Sequence, residues 1–304
     1  MIPTLIKFRS KFNYEFYNHR KKAFVMSSIL IFAALFCIFY KNLNFGIDFV
    51  GGIMIDAKFS NNPDLNQIRN DLDLLPIGNF EIQEFGAKDN ILIKIEKKRN
   101  VSDDEQVTVI DLVKNSLPSD VDYRRIEFVG PKVGKELKIL GLKAVLFSLL
   151  SMFIYIWFRF SGWQFGLGAV IALFHDVIST IGFYSITQIE FNLSSIAAIL
   201  TIAGYSINDT VVVFDRIREN IRKVEEVKFN KILNISINET LSRTIMTSVT
   251  TLIALLALFI LGGEVIKGFI LSLIWGVLIG TYSSIFIASP LIAFLGYKDF
   301  GKKN

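Results

Sequence analysis

Six long apolar stretches alternate along this chain with polar segments of very unequal length. They cover roughly residues 23–40, 137–158, 163–184, 191–214, 243–261 and 269–295. A helix needs about 20 apolar residues to cross a hydrocarbon layer about 30 Å thick. The pattern therefore predicts six membrane-spanning helices. A mean hydropathy of +0.46 agrees and excludes an ordinary soluble globule.

The longest polar segment, 41–136, has a different period. Residues 49–60, "FVGGIMIDAKFS", alternate like a strand. Residues 63–75 carry Leu65, Ile68, Leu72 and Leu75 at helical spacing. Two further strands, "FEIQEFG" and "NILIKIEKK", are expected to turn at Lys88-Asp89-Asn90. Ser102 and Glu105 form a capping-box pattern ahead of a second helix. "VDYRRIEFVG" reads as the last strand. The order β-α-β-β-α-β is the split-βαβ, ferredoxin-like arrangement. The expected fold class is an α-helical polytopic membrane protein of six transmembrane helices, with one α+β ferredoxin-like extracytoplasmic domain between spans one and two. The expected division is an N-terminal arm (1–22), span one (23–40), the outer domain (41–136), spans two to six (137–295) and a tail (296–304). Residues 216–238 carry an apolar stripe of Ile217, Ile221, Val224, Phe229, Ile232 and Leu233. They read either as an amphipathic helix on the cytoplasmic face or as a solvated connector.

Charge orients the spans. The arm holds Lys7, Arg9, Lys11, Arg20, Lys21 and Lys22, and Arg159 follows span two. The connector after span four holds Arg216, Arg218, Arg222, Lys223, Lys228 and Lys231, and the tail holds Lys298, Lys302 and Lys303. The opposite loops hold only Glu190, Glu264 and Lys267. The positive-inside rule places both termini in the cytoplasm. Residues 41–136 contain 13 basic and 17 acidic residues against 33 and 28 in the whole chain. The basic excess thus belongs to the membrane part and is no nucleic-acid footprint. The arm is over twenty residues long and no small-x-small pattern follows Tyr40, so the first span is expected to be retained.

One cysteine, Cys37, and two histidines exclude a disulfide framework and a His-rich metal site. No Walker A, HExxH or GxSxG motif is present, so no enzyme is expected. The candidate chemistry is ionisable groups inside spans. Asp209 lies 18 residues into span four, about 27 Å along the helix. Arg243 lies 18 residues from the far end of antiparallel span five, at nearly the same depth. Either charge alone in hydrocarbon is costly, and together they can compensate. Thr247, Thr250 and Thr251 share or flank the Arg243 face. Tyr205 and Ser206 lie one turn from Asp209, and His175 and Asp176 lie near the middle of span three. Asp209 and Arg243 are read as a proton relay: a carboxylate protonates when its arginine moves away and releases the proton when it returns. His175, Asp176, Asp215 and Thr247 are possible auxiliaries. Bland alternatives are a structural Asp209–Arg243 lock, an interfacial Asp215, and helix-packing hydrogen bonds for His175 and Asp176. In "FGIDFVGG", Gly46, Gly51 and Gly52 flank Asp48, which can cap the turn or bind a partner loop; the motif reads as a joint between span one and the outer domain, the alternative being a direct contact with a preprotein.

"FGIDFVGG" and "AGYSINDTVVVFDRIREN" together resemble the SecF family, within the resistance-nodulation-division superfamily. "FHD" at 174–176 and "SRTIMTS" at 242–248 resemble the family's spans three and five. The resemblance covers the whole chain. It implies an inner-membrane accessory subunit that pairs with SecD and associates with the SecYEG channel and YajC. Proton flow inward is then used to pull a translocating preprotein outward. It also implies that the Asp of "SINDT" and the Arg of "SRT", here Asp209 and Arg243, serve proton transport. No cofactor is expected beyond protons as coupling ion. A second reading is half of a proton-driven exporter of small molecules or lipids of the same superfamily, although such pumps usually carry twelve spans and two large outer loops. A third, a scaffold without ion traffic, is opposed by the intramembrane charges.

Overall fold

The structure, a computed structural model, describes residues 14–96, 103–160, 162–223 and 228–296 of the 304-residue chain. The turn Lys97–Arg99, Ser102 of the capping box, Val224, and the basic residues of the arm before residue 14 and of the tail lie outside the described residues.

A 3-10 turn (Phe16–His19) leads into α1 (Arg20–Lys41) and, past a short break, α2 (Ile47–Val50). The outer domain follows as β1 (Gly52–Lys58), α3 (Leu65–Asp73), β2 (Phe80–Phe85), β3 (Ala87–Glu96), α4 (Asp103–Ser116) and β4 (Asp122–Val129). The four strands form one antiparallel sheet in the order β2-β3-β1-β4, the ferredoxin-like order expected. Side chains alternate across the sheet. Ile53, Ile55 and Ala57 of β1 and Ile91, Ile93 and Ile95 of β3 meet Ile68 and Leu72 of α3, Val113 of α4 and Leu117 just after it. Asp64 caps α3, accepting from Asn66 N at 2.8 Å.

Two local expectations fail. Phe49 and Val50 belong to α2, and β1 starts only at Gly52. The hairpin turns at Gly86, with φ +84°, while Lys88, Asp89 and Asn90 continue β3. Glycine reaches that conformation without strain. Asn90 is buried and donates to Phe85 O at 3.1 Å, so it ties the hairpin from inside.

The bundle comprises α5 (Pro131–Phe160), α6 (Trp163–Thr187), α7 (Leu193–Lys223), α8 (Phe229–Leu261), α9 (Glu264–Ser283) and α10 (Ser289–Phe294), with a π-helical segment Ser284–Ala288 joining the last two. Six segments are long and apolar enough to cross a membrane: α1, α5, α6, α7, α8 and the α9–α10 pair. The chain begins α5 six residues before the expected span. The sixth span is interrupted because Pro290 lacks an N–H and its ring clashes one turn back, and a wider turn relieves both. Helix α6 is central and buries Ala169, Ala172, Asp176 and Thr180. Helix α1 leaves Val25, Ile29, Phe32 and Phe36 exposed, as a lipid-facing surface does.

The segment 216–238 is not one surface helix. Its first part completes α7 and its second begins α8, on either side of 224–227. Ile217, Ile232 and Leu233 are buried, and Ile217 and Leu233, with partly buried Ile221 and Phe229, join or abut a core containing Phe16, Phe160 and Phe214. The apolar stripe packs inward. Asn220 donates to Ser236 Oγ at 3.0 Å across the two helices, and the chain near Tyr14 is pinned to Asn238 by two hydrogen bonds.

Candidate functional site

Close approach of helices builds the site. A Cβ on Gly276 of α9 would lie 2.2 Å from Ile202 Cγ1, and one on Gly280 would lie 3.0 Å from Ser206 Cβ. These glycines sit four residues apart on one face, so α7 lies against the α9 backbone as small-residue packing allows. Polar side chains of α6, α7 and α9 then meet in the interior.

Asp176 is fully buried. Its Oδ2 accepts from Ser206 Oγ of α7 at 2.6 Å and from Ser283 Oγ of α9 at 2.7 Å. Its Oδ1 lies 3.0 Å from His175 Nδ1. With Nδ1–H given to that carboxylate, Nε2 is left as a hydrogen-bond acceptor. Among the described residues Nε2 has no partner, and His175 lines a lateral cavity of about 530 Å³ walled by Phe24, Ser27 and Leu291. Ser283 was not foreseen. The serine pair Ser283-Ser284 inside an apolar span was its only sequence signal.

Asp209 lies one turn beyond Ser206 on α7 and is 3% exposed. Its Oδ2 is buried with no hydrogen-bond partner among the described residues. From α8, Thr247 and the Arg243 guanidinium are the groups that act on the carboxylate. Arg243 is nonetheless exposed and makes no ion pair with Asp209. The compensation expected from matched depth operates here at a distance.

The threonine hydroxyls on the Arg243 face of α8 are bonded within their own helix. Thr247 donates to Arg243 O and Thr244 O, Thr250 to Met246 O and Thr247 O, and Thr251 to Thr247 O. Hydroxyl protons are used within the helix, so the face presents acceptor lone pairs. Thr244, buried beside them, has a hydroxyl with no partner among the described residues.

Asp215 sits apart. It pairs with Arg159 at the end of α5 at 3.1 Å, and both side chains are half exposed. The glycine motif forms a joint with the bundle. Gly46 N donates to Phe191 O at 2.9 Å, Phe191 N to Asn44 O at 2.7 Å, and Leu193 N to Asp48 Oδ2 at 2.8 Å. Asp48 therefore occupies the N-terminus of α7. Gly51 and Gly52 have φ of +84° and +142°, and a Cβ on Gly52 would lie 2.5 Å from Ile95 O.

An orphaned carboxylate, a partnerless imidazole nitrogen and a cation exposed on a membrane helix are all expensive in hydrocarbon. Of these, the Asp209 carboxylate is the group that can bind and release a proton, while Arg243 stays a fixed positive charge.

Residues 108–298 match the family model described as protein export membrane protein SecD/SecF, C-terminal, and residues 43–63 match the SecD/SecF GG motif. The protein translocase subunit SecF of Rickettsia bellii (strain OSU 85-389) is 46% identical over 297 residues, which are 96% of this chain and 97% of that protein. That of Rickettsia rickettsii (strain Sheila Smith) is 45% identical over 298 residues, 97% and 96% of the two chains. The crystal structure of SecDF from Thermus thermophilus, a translocon-associated membrane protein, matches with a TM-score of 0.81 at 35% identity, over 94% of this chain and 39% of that one.

Proposed function

The chain belongs to the SecD/SecF family of protein-export membrane proteins, and on that premise we propose that it is the SecF-type accessory subunit of a bacterial protein translocase, with Asp209 as its proton carrier. It works beside a SecD partner in the inner membrane, with both termini cytoplasmic. Through that partner it associates with the SecYEG channel and YajC. It performs no covalent chemistry and needs no cofactor. Inward proton flow, worth about 2.3 kcal/mol per charge per 100 mV for its electrical part, is converted into outward movement of a translocating preprotein.

The observation that carries this reading is the buried Oδ2 of Asp209, which has no hydrogen-bond partner among the described residues. A structural lock would hold the two charges in contact. Here the carboxylate is free to be protonated, and Arg243 has room to move. His175 and Asp176, joined to α7 through Ser206, supply an adjacent buried polar path. The exposed side of α8 with Arg243 is the face that a SecD helix would cover.

The test is Asp209→Asn, which keeps size and much hydrogen bonding but cannot carry a proton. The variant is expected to stay in the membrane and bound to SecD while losing proton-dependent export. Export stimulated by a proton gradient to the wild-type extent would contradict the proposal.

A further inference from the structure

The outer sheet has a second face, turned toward the membrane bundle, and it is strongly charged. Cross-strand rows place Glu81, Lys94, Met54 and Glu127 side by side, then Gln83, Leu92, Asp56 and Arg125. Between this face and the 188–195 turn lies a cleft of about 240 Å³. Four carboxylates line it, those of Asp48, Asp56, Glu127 and Glu190, against two cations, Lys94 and Arg125.

Three of the carboxylates are engaged. Glu190 pairs with Lys94 at 2.5 Å, Glu127 with Arg125 at 2.5 Å, and Asp48 receives Leu193 N. Asp56 is not. It is 4% exposed, and its Oδ1 is buried with no partner among the described residues. Its cross-strand neighbour Arg125 directs both Nε and Nη2 at Glu127. A buried acceptor without a donor is strongly disfavoured unless something supplies one. No group of three or more metal-ligating side chains occurs among the described residues, which disfavours a metal ion. A donor with positive charge satisfies both the orphan oxygen and the acidic balance of the cleft.

Gln83 is exposed at the rim and belongs to β2, an edge strand of the sheet. An extended polypeptide passing an edge strand presents alternate side chains toward the same side. We propose that this cleft receives one lysine or arginine side chain of a polypeptide in transit, with Asp56 as its anchor. The proposal rests on the export reading for the identity of the polypeptide, but not on proton coupling.

The experiment uses the full chain in its SecD complex, in lipid nanodiscs without a proton gradient. A fluorescent ten-residue serine–alanine peptide with a central arginine is compared with its citrulline counterpart by anisotropy. The arginine peptide is expected to bind on the order of tenfold more tightly, as one charge-assisted contact allows. Asp56→Asn is expected to erase the difference, and Gln83→Glu, at the exposed rim, to enlarge it. Equal binding of the two peptides overturns the proposal. So does a difference that survives Asp56→Asn, or one that Gln83→Glu leaves unchanged. Loss of proton coupling in Asp209→Asn leaves the peptide result untouched, so the two readings fail separately.

Discussion

Asp176 carries three interactions from three helices, and Asp209 carries an oxygen with none. This contrast separates their roles. Asp176 organises the polar interior, so Asp176→Asn should lower stability by about 1–3 kcal/mol by leaving serine or imidazole groups mismatched. Thermal unfolding of the purified complex reads this, and an unchanged melting temperature would show that the network contributes nothing. Asp209 has no such duties, so its amide variant should melt near the wild type. The sequence placed both aspartates in spans and ranked Asp209 first, because an ionisable residue is conspicuous in an apolar run. It could not show that Ser206 and Ser283 converge on Asp176. Convergence depends on which helices are neighbours, and hydropathy is silent on that. It also could not show that Arg243 points outward, since depth along a helix fixes height but not contact.

Among elements, α7 and α9 depend on Gly276 and Gly280. Gly276→Leu must push Ile202 aside, at about 1–3 kcal/mol for overpacking, and displace the turn bearing Ser206. Reduced stability together with reduced export is expected, and full export with an unchanged melting temperature would rule out the close-packing account. At the joint, any side chain on Gly52 meets the Ile95 carbonyl. Gly52→Ala should therefore loosen the outer domain while the bundle stays assembled. Faster hydrogen exchange in β1 and β3, and none in α6, would be the sign, and unchanged β1 protection would count against it. The domain's element order was legible from alternating apolar residues and helical spacing. The π-helical segment was not read, although Pro290 inside an apolar span was its visible cause. The apolar stripe after span four was seen, but its partner was misjudged. It packs on Phe214, one turn away, and on Phe16 and Phe160, which lie far away in sequence.

At the scale of the whole molecule, the neck of the outer domain is fastened to the bundle. Asn42 O accepts from Ser185 Oγ and Gln188 Nε2, Asn44 and Gly46 pair with Phe191, Asp48 caps α7, Lys94 pairs with Glu190, and Phe49 packs among Leu149, Tyr184 and Phe191. The proposed topology is open to direct check. Cysteines at Lys88 and Lys228 should react with impermeant reagents from opposite sides of the membrane, and labelling of both from one side would refute it. The central claim is that Asp209 carries the proton and is more than half of a structural pair. Its most direct measurement is proton-driven export by the double variant Asp209→Asn with Arg243→Gln, in vesicles under an imposed proton gradient. Removing both charges relieves any stranded cation, so a structural pair predicts recovered export. The proton-carrier account predicts a stable, assembled complex with no proton-dependent export, and a fully active double variant would contradict it.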